Sequence, residues 1–231
     1  MASKESARIK DFYKQRIETD AHLRYSLLRP GELYLAQIRE RAALRLLGES
    51  RIDLASARIL EVGCGRGKRL LDYVRWGAPP DHLFGIDLME CLVRTARSIL
   101  PLTGLVVSSA GNLPFRDSYF DLVTQFYMFT SILDPELRKA AAREIWRVLR
   151  PGGALLWHDF RYPSPGNPNV RPVGRREIVN LFPEAVITIR STTLAPPLAR
   201  TLARYSMLAC EAAALLPFLR THYAALIRKP V

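Results

Sequence analysis

Short apolar runs separated by amphipathic stretches occupy the middle of the chain. Five such runs predict β-strands at residues 58–64, 83–88, 105–109, 121–126 and 154–160, and two more are predicted at 185–191 and 222–228. Helical spacing predicts helices at 68–76, 90–100, 135–149 and 175–181. Strands that alternate with helices are typical of a mostly parallel sheet with helices on both faces, so an α/β fold is expected.

The two ends of the chain follow a different pattern. Residues 5–28 predict a helix followed by irregular chain, and residues 31–48 predict a second helix with Gly48 as its C-terminal cap. We therefore expect an N-terminal helical extension at 1–57 and a main domain at 58–231. Residues 197–219 are helical with a break at Pro217, which predicts a helical insertion at about 196–219 before the last strand.

The composition is that of a globular protein, and we find no pattern of a secretory signal, a membrane span or a metal site in the sequence. Of 231 residues, 48% are hydrophobic and 24% are charged, as in globular proteins. The first residues lack the apolar stretch of a secretory signal, and no uncharged apolar run of about 18 residues occurs. Cys64, Cys91 and Cys210 are too widely spaced for a disulfide framework or a metal site. We expect reduced cysteines, no metal and a cytoplasmic location.

Charge is distributed unevenly. The net charge is +12, and residues 161–231 hold 10 Lys/Arg against 3 Asp/Glu. Such an excess suits nucleic acid, anionic lipid or a phosphorylated substrate. The basic residues are spread singly, which weakens the nucleic-acid interpretation. A solvated arginine-rich surface and a peripheral membrane contact through residues 194–228 both remain open.

A glycine-rich turn carries the strongest chemical signal. The sequence E-V-G-C-G-R-G at 61–67 follows a predicted strand and opens a helix, and Asp87 ends the next strand about twenty residues later. Glycines allow a sharp turn and a close approach to a ligand, and the acid can accept both hydroxyls of a ribose. A dinucleotide would need a third glycine where Lys68 stands, so the spacing favours S-adenosylmethionine (SAM) over a nicotinamide cofactor.

Residues 58–160 resemble the class I SAM-dependent methyltransferases of the type-11 group, a family with many bacterial members. The resemblance rests on ILEVGCGRG, GIDL, LPFRDSYFDLVTQF and REIWRVLRPGGALLWHDF. It implies a Rossmann-like methyltransferase fold with a mostly parallel seven-stranded sheet, extra N-terminal helices and SAM as cofactor. The reaction it implies is in-line displacement of a methyl group.

The resemblance also implies roles for individual residues around the cofactor. Its methionine part would be surrounded by Glu61, Gly63, Cys64, Gly65 and Gly67. Asp87 would hold the ribose, and the adenine would contact Leu88, Ser109, Ala110 and Asn112. Gln125 and Phe126 would face the sulfonium. Ser109 stands where many family members carry Asp, which implies a weaker contact with the adenine amino group.

The sequence also offers candidates for a general base and for contact with the acceptor. His158 and Asp159 are candidates for a general base, although neighbours on a strand face opposite sides and a packed His158 is the favoured interpretation. Candidates for contact with the acceptor are Tyr127, Arg161 and Arg175.

Three functions remain open on this basis. We expect methyl transfer to a small-molecule, glycan or lipid-linked acceptor. The alternatives are an RNA-modifying methyltransferase and a catalytically silent SAM-fold binding module. No N-P-P-[YF] motif follows the fourth strand, which argues against methylation of base amino groups.

Overall fold

The computed structural model describes residues 4–19, 25–163 and 167–231. Within them, seven strands form one sheet. The strands are β1 (Ile59–Val62), β2 (Leu83–Asp87), β3 (Gly104–Val107), β4 (Phe120–Phe126), β5 (Leu149–Phe160), β6 (Val186–Leu194) and β7 (Arg220–Arg228).

The strand order is β3-β2-β1-β4-β5-β7-β6. β1 to β5 pair in parallel, and β7 is antiparallel to both β5 and β6. The order reverses between β1 and β4, which places a crevice at the carboxyl ends of these strands. The predicted mostly parallel seven-stranded sheet is confirmed.

The helices flank this sheet. They are α1 (Lys4–Glu18), α2 (Pro30–Ser50), α3 (Lys68–Arg75), α4 (Glu90–Ile99), α5 (Met128–Ser131), α6 (Pro135–Val148), α7 (Arg175–Leu181), α8 (Pro196–Leu202) and α9 (Met207–Ala214). Asp134 caps α6 by accepting a hydrogen bond from the Glu136 N–H at 2.9 Å, with Pro135 in the first turn.

Strand alternation divides the core into two layers. Leu155, Trp157 and Ile227 point to one face with α6 and α7, whereas Leu156 and Leu226 point to the other with α2 and α3. Because the central strands are covered on both sides, their residues are buried and mainly apolar, with buried polar side chains at Glu61, Asp121, Thr124, Gln125, His158 and Asp159.

Some boundaries differ from the sequence-based expectation. α2 passes through Gly48 and ends at Ser50, with Arg51 in the left-handed conformation (φ 59°). The last turn is held by Glu49, whose carboxylate pairs with Arg190 on β6 at 2.7 Å. The expected cap at Gly48 was wrong because this tertiary ion pair extends the helix.

The insertion between β6 and β7 is helical, as predicted, but it is divided. α8 and α9 are separated by a turn at 203–206, and a short 3₁₀ turn (Pro217–Leu219) leads into β7. α8 packs against the start of α2, and its buried side chains join a third apolar cluster with Tyr34 and Leu35. No helix in the described part of the chain is long and apolar enough to cross a bilayer.

Candidate functional site

The glycine turn lies between β1 and α3. Gly63, Gly65 and Gly67 have φ values of 82°, 53° and 77°, which side chains with a Cβ rarely adopt. The Gly63 and Cys64 N–H groups both donate to the Ile86 carbonyl, at 2.8 and 2.9 Å. The turn is therefore folded across the end of β2 and opens toward the carboxyl edge of the sheet.

Asp87, at the end of β2, organises this edge. One carboxylate oxygen accepts from the Gly65 N–H at 2.8 Å, and the other accepts from the Met89 N–H at 2.9 Å. Burial raises the pKa of Asp87, and the hydrogen bonds from the backbone oppose that rise. An ionised carboxylate has about four acceptor positions, so each oxygen retains one for a ligand.

A cavity opens beside this carboxylate. It is bounded by the glycine turn and by the loops that follow β2, β3 and β4. Its lining includes Gly63, Gly65, Asp87, Leu88, Met89, Ser108, Ser109, Ala110, Phe126, Tyr127 and Met128. The lining is mainly apolar, with Asp87 as its one carboxylate among the residues that the structure describes.

α1 forms the remaining wall of the cavity through Ser6, Ile9 and Tyr13. The Tyr13 hydroxyl lies 2.8 Å from Ser131 Oγ. Arg8 donates to the Ser131 carbonyl at 2.7 Å. The sequence pattern predicted α1 but carried no signal for where it docks, because helical spacing identifies an apolar face and not its partner.

Further hydrogen bonds attach the first turn of α1 to the loop after α5. A Glu5 oxygen accepts from the Leu133 N–H at 2.6 Å, and the same carboxylate accepts from Arg8 at 2.8 and 2.9 Å. Arg8 also donates to Asn169 at 3.1 Å. These contacts tie α1 to two separate loops of the main domain.

The structure brings together seven of the twelve residues predicted to hold the cofactor. Gly63, Gly65, Asp87, Leu88, Ser109, Ala110 and Phe126 line the cavity. Ser109 Oγ accepts from the Gly111 N–H at 3.3 Å. The other five do not line it: Glu61, Cys64, Gly67, Asn112 and Gln125.

Glu61 lies beneath the turn, on the face of the sheet covered by α3. It is buried, and burial raises its pKa to about 8, against the opposing effect of Arg69. Gln125 is buried on the other face, where its side-chain oxygen accepts from the Met128 N–H at 3.1 Å. Both side chains support the cavity wall from behind.

His158 belongs to an aromatic cluster at the end of β5. Its ring stacks on Phe126 and His222 and meets the edge of Tyr127, with centroid distances of 5.7, 5.2 and 5.2 Å. Its Nε2 lies 3.3 Å from Thr193 Oγ1. Burial, followed by the charge of His222, holds the pKa of His158 well below its usual value.

Asp159 faces the opposite side of the sheet. Its two oxygens accept from the Thr130 and Phe160 N–H groups at 3.1 and 3.0 Å. The carboxyl is fully buried, and burial raises its pKa to about 7. The carboxyl thereby holds α5 in place, and α5 carries the cavity residues Met128 and Ser131.

Of the three residues predicted for the acceptor, Tyr127 alone lines the cavity. It has a left-handed backbone (φ 65°), and its hydroxyl accepts from Arg39 at 3.1 Å. The guanidinium of Arg161 lies over the rings of Tyr162 and Tyr223. Arg175 is exposed at the start of α7.

The cavity also has lining residues that were not predicted from the sequence, namely Ser6, Ile9, Tyr13, Ile86, Met89, Leu92, Ser108, Met128, Ser131, Ile132 and Leu137. Met128 and Ser131 lie on α5, a four-residue helix with no periodic signal of its own. No cluster of three or more His, Cys, Asp or Glu side chains suited to a metal occurs in the residues described.

Comparisons with known proteins concern the family and the fold of the chain. Residues 60–157 match the family described as a methyltransferase domain. The ubiquinone/menaquinone biosynthesis C-methyltransferase UbiE of Vibrio vulnificus is 30% identical over 129 residues, which cover 52% of this chain and 48% of the relative.

A second relative has higher identity over a shorter stretch. Phthiotriol/phenolphthiotriol dimycocerosates methyltransferase 1 of Mycobacterium ulcerans is 37% identical over 112 residues, which cover 48% of this chain and 40% of the relative. The chain thus spans less than half the length of either relative.

Similarity to solved structures extends over more of the chain. One similar structure comes from the complex between the Haloferax volcanii Trm112 methyltransferase activator and a methyltransferase. Its TM-score is 0.68 at 16% identity, and the match covers 96% of this chain and 98% of that one. At this level of identity the likeness concerns the fold alone.

Proposed function

We propose that the protein is a SAM-dependent methyltransferase that transfers the methyl group of SAM to a small-molecule, glycan or lipid-linked acceptor, because residues 60–157 match the methyltransferase-domain family. The observation that carries the proposal is the Asp87 carboxylate at the cavity. Each of its oxygens is held by one backbone N–H and has a further acceptor position for a ribose hydroxyl.

The residues around the cavity fit this cofactor. Gly65 lines the cavity, and a Cβ added there would have no neighbour within 4 Å. Leu88, Ala110 and Leu137 offer an apolar slot for an adenine, and Ser109 adds a hydroxyl. We assign the methionine part to the glycine turn at Gly63 and Gly65.

SAM supplies a methyl group already activated by a positive sulfur, so the protein mainly has to align the acceptor with it. Phe126, Tyr127 and Met128 are placed to form the wall at which the two would meet. The left-handed backbone of Tyr127 costs about 1–3 kcal/mol and is held by the surrounding structure, as is common at functional sites.

A general base from the chain is not part of the proposal. His158 and Asp159 are buried and do not line the cavity. A buried imidazole with a strongly lowered pKa is a poor proton acceptor at neutral pH. We assign His158 to packing of the Tyr127 ring and Asp159 to holding α5.

Among small-molecule, glycan and lipid-linked acceptors, we favour one with an apolar part. Ile9, Tyr13 and Ile132 give the wall at α1 and α5 a mostly apolar surface. The relatives named above act in ubiquinone/menaquinone biosynthesis and on phthiotriol dimycocerosates, which supports a small-molecule or lipid acceptor over a glycan.

Calorimetric titration with SAM tests the cofactor assignment. Asp87→Ala should weaken SAM binding by about 1–3 kcal/mol, because the ribose loses a buried acceptor. Asp121→Ala is the matched control: Asp121 also accepts from a backbone N–H, that of Arg58 at 2.6 Å, but it lies at the amino end of β4. The control should lower stability and leave SAM affinity unchanged.

The same titration separates the alternatives. Equal affinity in wild type and Asp87→Ala would mean that the ribose is not held at Asp87. A folded protein that binds no SAM would favour a silent binding module, and heat with NAD would favour a nicotinamide enzyme. Salt-sensitive binding of RNA would favour the RNA-modifying alternative.

A further inference from the structure

Large apolar side chains are exposed along the insertion between β6 and β7. Tyr205, Leu208, Leu215 and Phe218 are 86%, 79%, 73% and 66% exposed, and Leu216 lies beside them. Leu208 lies on α9 and Leu215 directly follows it, and both are exposed, whereas Cys210 packs into the core. We call Tyr205, Leu208, Leu215, Leu216 and Phe218 the insertion face.

Both ends of the insertion lie at the same edge of the sheet as the cavity. Leu194 at the end of β6 pairs with Arg220 at the start of β7, and His222 pairs with Phe160 at the carboxyl end of β5. Since the cavity is built from loops at the carboxyl ends of β1 to β4, the insertion flanks its edge.

The segment before α2 adds to this edge. A Cβ at Gly31 would lie 2.5 Å from the Arg200 Cα, so the start of α2 is in close contact with α8. Leu27 and Leu28 come directly before this contact and are exposed, Leu28 almost fully. Leu27 and Leu28 are therefore exposed close to where the insertion contacts α2, although the two segments are distant in the sequence.

Arginines are next to these apolar side chains in the sequence. Arg29 and Arg204 are exposed, and neither forms an ion pair with any residue in the described ranges. The Arg220 guanidinium donates to the Ala214 carbonyl at 2.6 Å and has no acidic partner there. Glu211 is the only acid from 185 to 231, and Arg41 pairs with it.

We propose that the insertion face docks on the surface of an anionic lipid bilayer. Leucine and aromatic side chains that project singly can enter the headgroup–acyl boundary, and the neighbouring arginines complement anionic headgroups. A protein partner would need a pocket for each projecting side chain, whereas fluid lipid accommodates them without one. Docking would bring the carboxyl edge of the sheet, with its cavity, to the bilayer. This inference stands on the surface alone and does not require methyl transfer.

Vesicle flotation tests the proposal. The full chain is mixed with vesicles of phosphatidylcholine alone, or with about a third of phosphatidylglycerol. We expect binding to the anionic vesicles that falls as salt is raised. The double variant Leu215→Glu/Phe218→Glu should lower the partition coefficient at least about tenfold, because two anchors are replaced by charges of the wrong sign.

The matched control is Ile99→Glu/Leu102→Glu, which changes two exposed apolar residues at the opposite, amino edge of the sheet. It should float like the wild type. The proposal is overturned if the wild type binds neither vesicle, or if both double variants bind equally well. It is also overturned if the wild type is a dimer that does not bind vesicles and Leu215→Glu/Phe218→Glu makes it a monomer. The insertion face would then join two copies of the chain.

Discussion

Gly65 combines two properties that bear separately on folding and on binding. Its φ of 53° is unfavourable for a residue with a Cβ, and it lines the cavity with no atom within 4 Å of an added Cβ. A substitution there therefore strains the backbone a little and places a methyl group in the space assigned to the cofactor.

Gly65→Ala should weaken SAM binding at least about tenfold while lowering the free energy of unfolding by only about 1 kcal/mol. The matched control is Gly77→Ala, where φ is 100°, the added Cβ again meets nothing within 4 Å, and the residue is remote from the cavity. Calorimetry and urea denaturation of both variants check this. Equal SAM affinity in the two variants would contradict the assignment of the turn.

The sequence predicts single residues well where spacing alone decides their place. Three glycines and Asp87 could be located because a tight strand–helix turn and the end of the next strand meet at one edge. Alternation along β5 likewise separates His158 from Asp159. What the sequence could not show is that neither reaches the cavity, since that depends on residues packed above them.

At the scale of the element, α1 forms one wall of the cavity. It has few buried apolar side chains and is held mainly by polar contacts from Glu5, Arg8 and Tyr13 to residues 131–133. Such contacts contribute about 1 kcal/mol each, and partial exposure reduces them further. α1 can therefore open with little loss of stability in the remaining fold.

Arg8→Ala should raise the dissociation rate of SAM roughly two- to tenfold and increase hydrogen exchange in α1, with little change in the melting temperature. Lys10→Ala is the matched control, because Lys10 is exposed on the same helix. Stopped-flow dissociation and hydrogen exchange measure both effects. Identical dissociation rates for the two variants would show that α1 does not retain the cofactor.

Elements with a clear apolar pattern could be predicted from the sequence. The predicted ends of the short helix α7 match the observed ones. α5 could not be predicted, because its four residues are held by the Asp159 carboxylate on β5 and by Gln125 on β4. β5 likewise begins at Leu149 rather than at 154, since Leu149 pairs with Phe120 ahead of an irregular step in the register. Tertiary contacts decide both cases.

At the scale of the whole molecule, burial favours the neutral form of two carboxyls and two imidazoles among the described residues. Burial raises the pKa of Glu61 to about 8 and that of Asp159 to about 7. Burial and the nearby Arg39 lower the pKa of His222 to about 3, and the pKa of His158 is also well below its usual value.

These groups have opposite effects on stability. A carboxyl with a raised pKa contributes stability that is complete below its unfolded pKa and is lost as pH rises through its folded pKa. A histidine with a lowered pKa contributes stability above about pH 6.5 that is lost as pH falls. Between about pH 4.5 and 6.5, the slope from Glu61 opposes the slope from His222, each about 1.4 kcal/mol per pH unit.

The free energy of unfolding of the apo protein should therefore change little between about pH 5 and 6.5, and single substitutions should expose the hidden slopes. Glu61→Gln removes one carboxyl, so this variant should lose about 1.4 kcal/mol per pH unit on acidification, whereas His222→Gln should gain a similar amount. Glu136→Gln, at an exposed acid on α6, is the control and should leave the profile flat. Urea denaturation across this range measures all four proteins. A steep wild-type profile that neither buried substitution alters would mean that the folded protein ionises these groups, and that their burial does not keep them neutral.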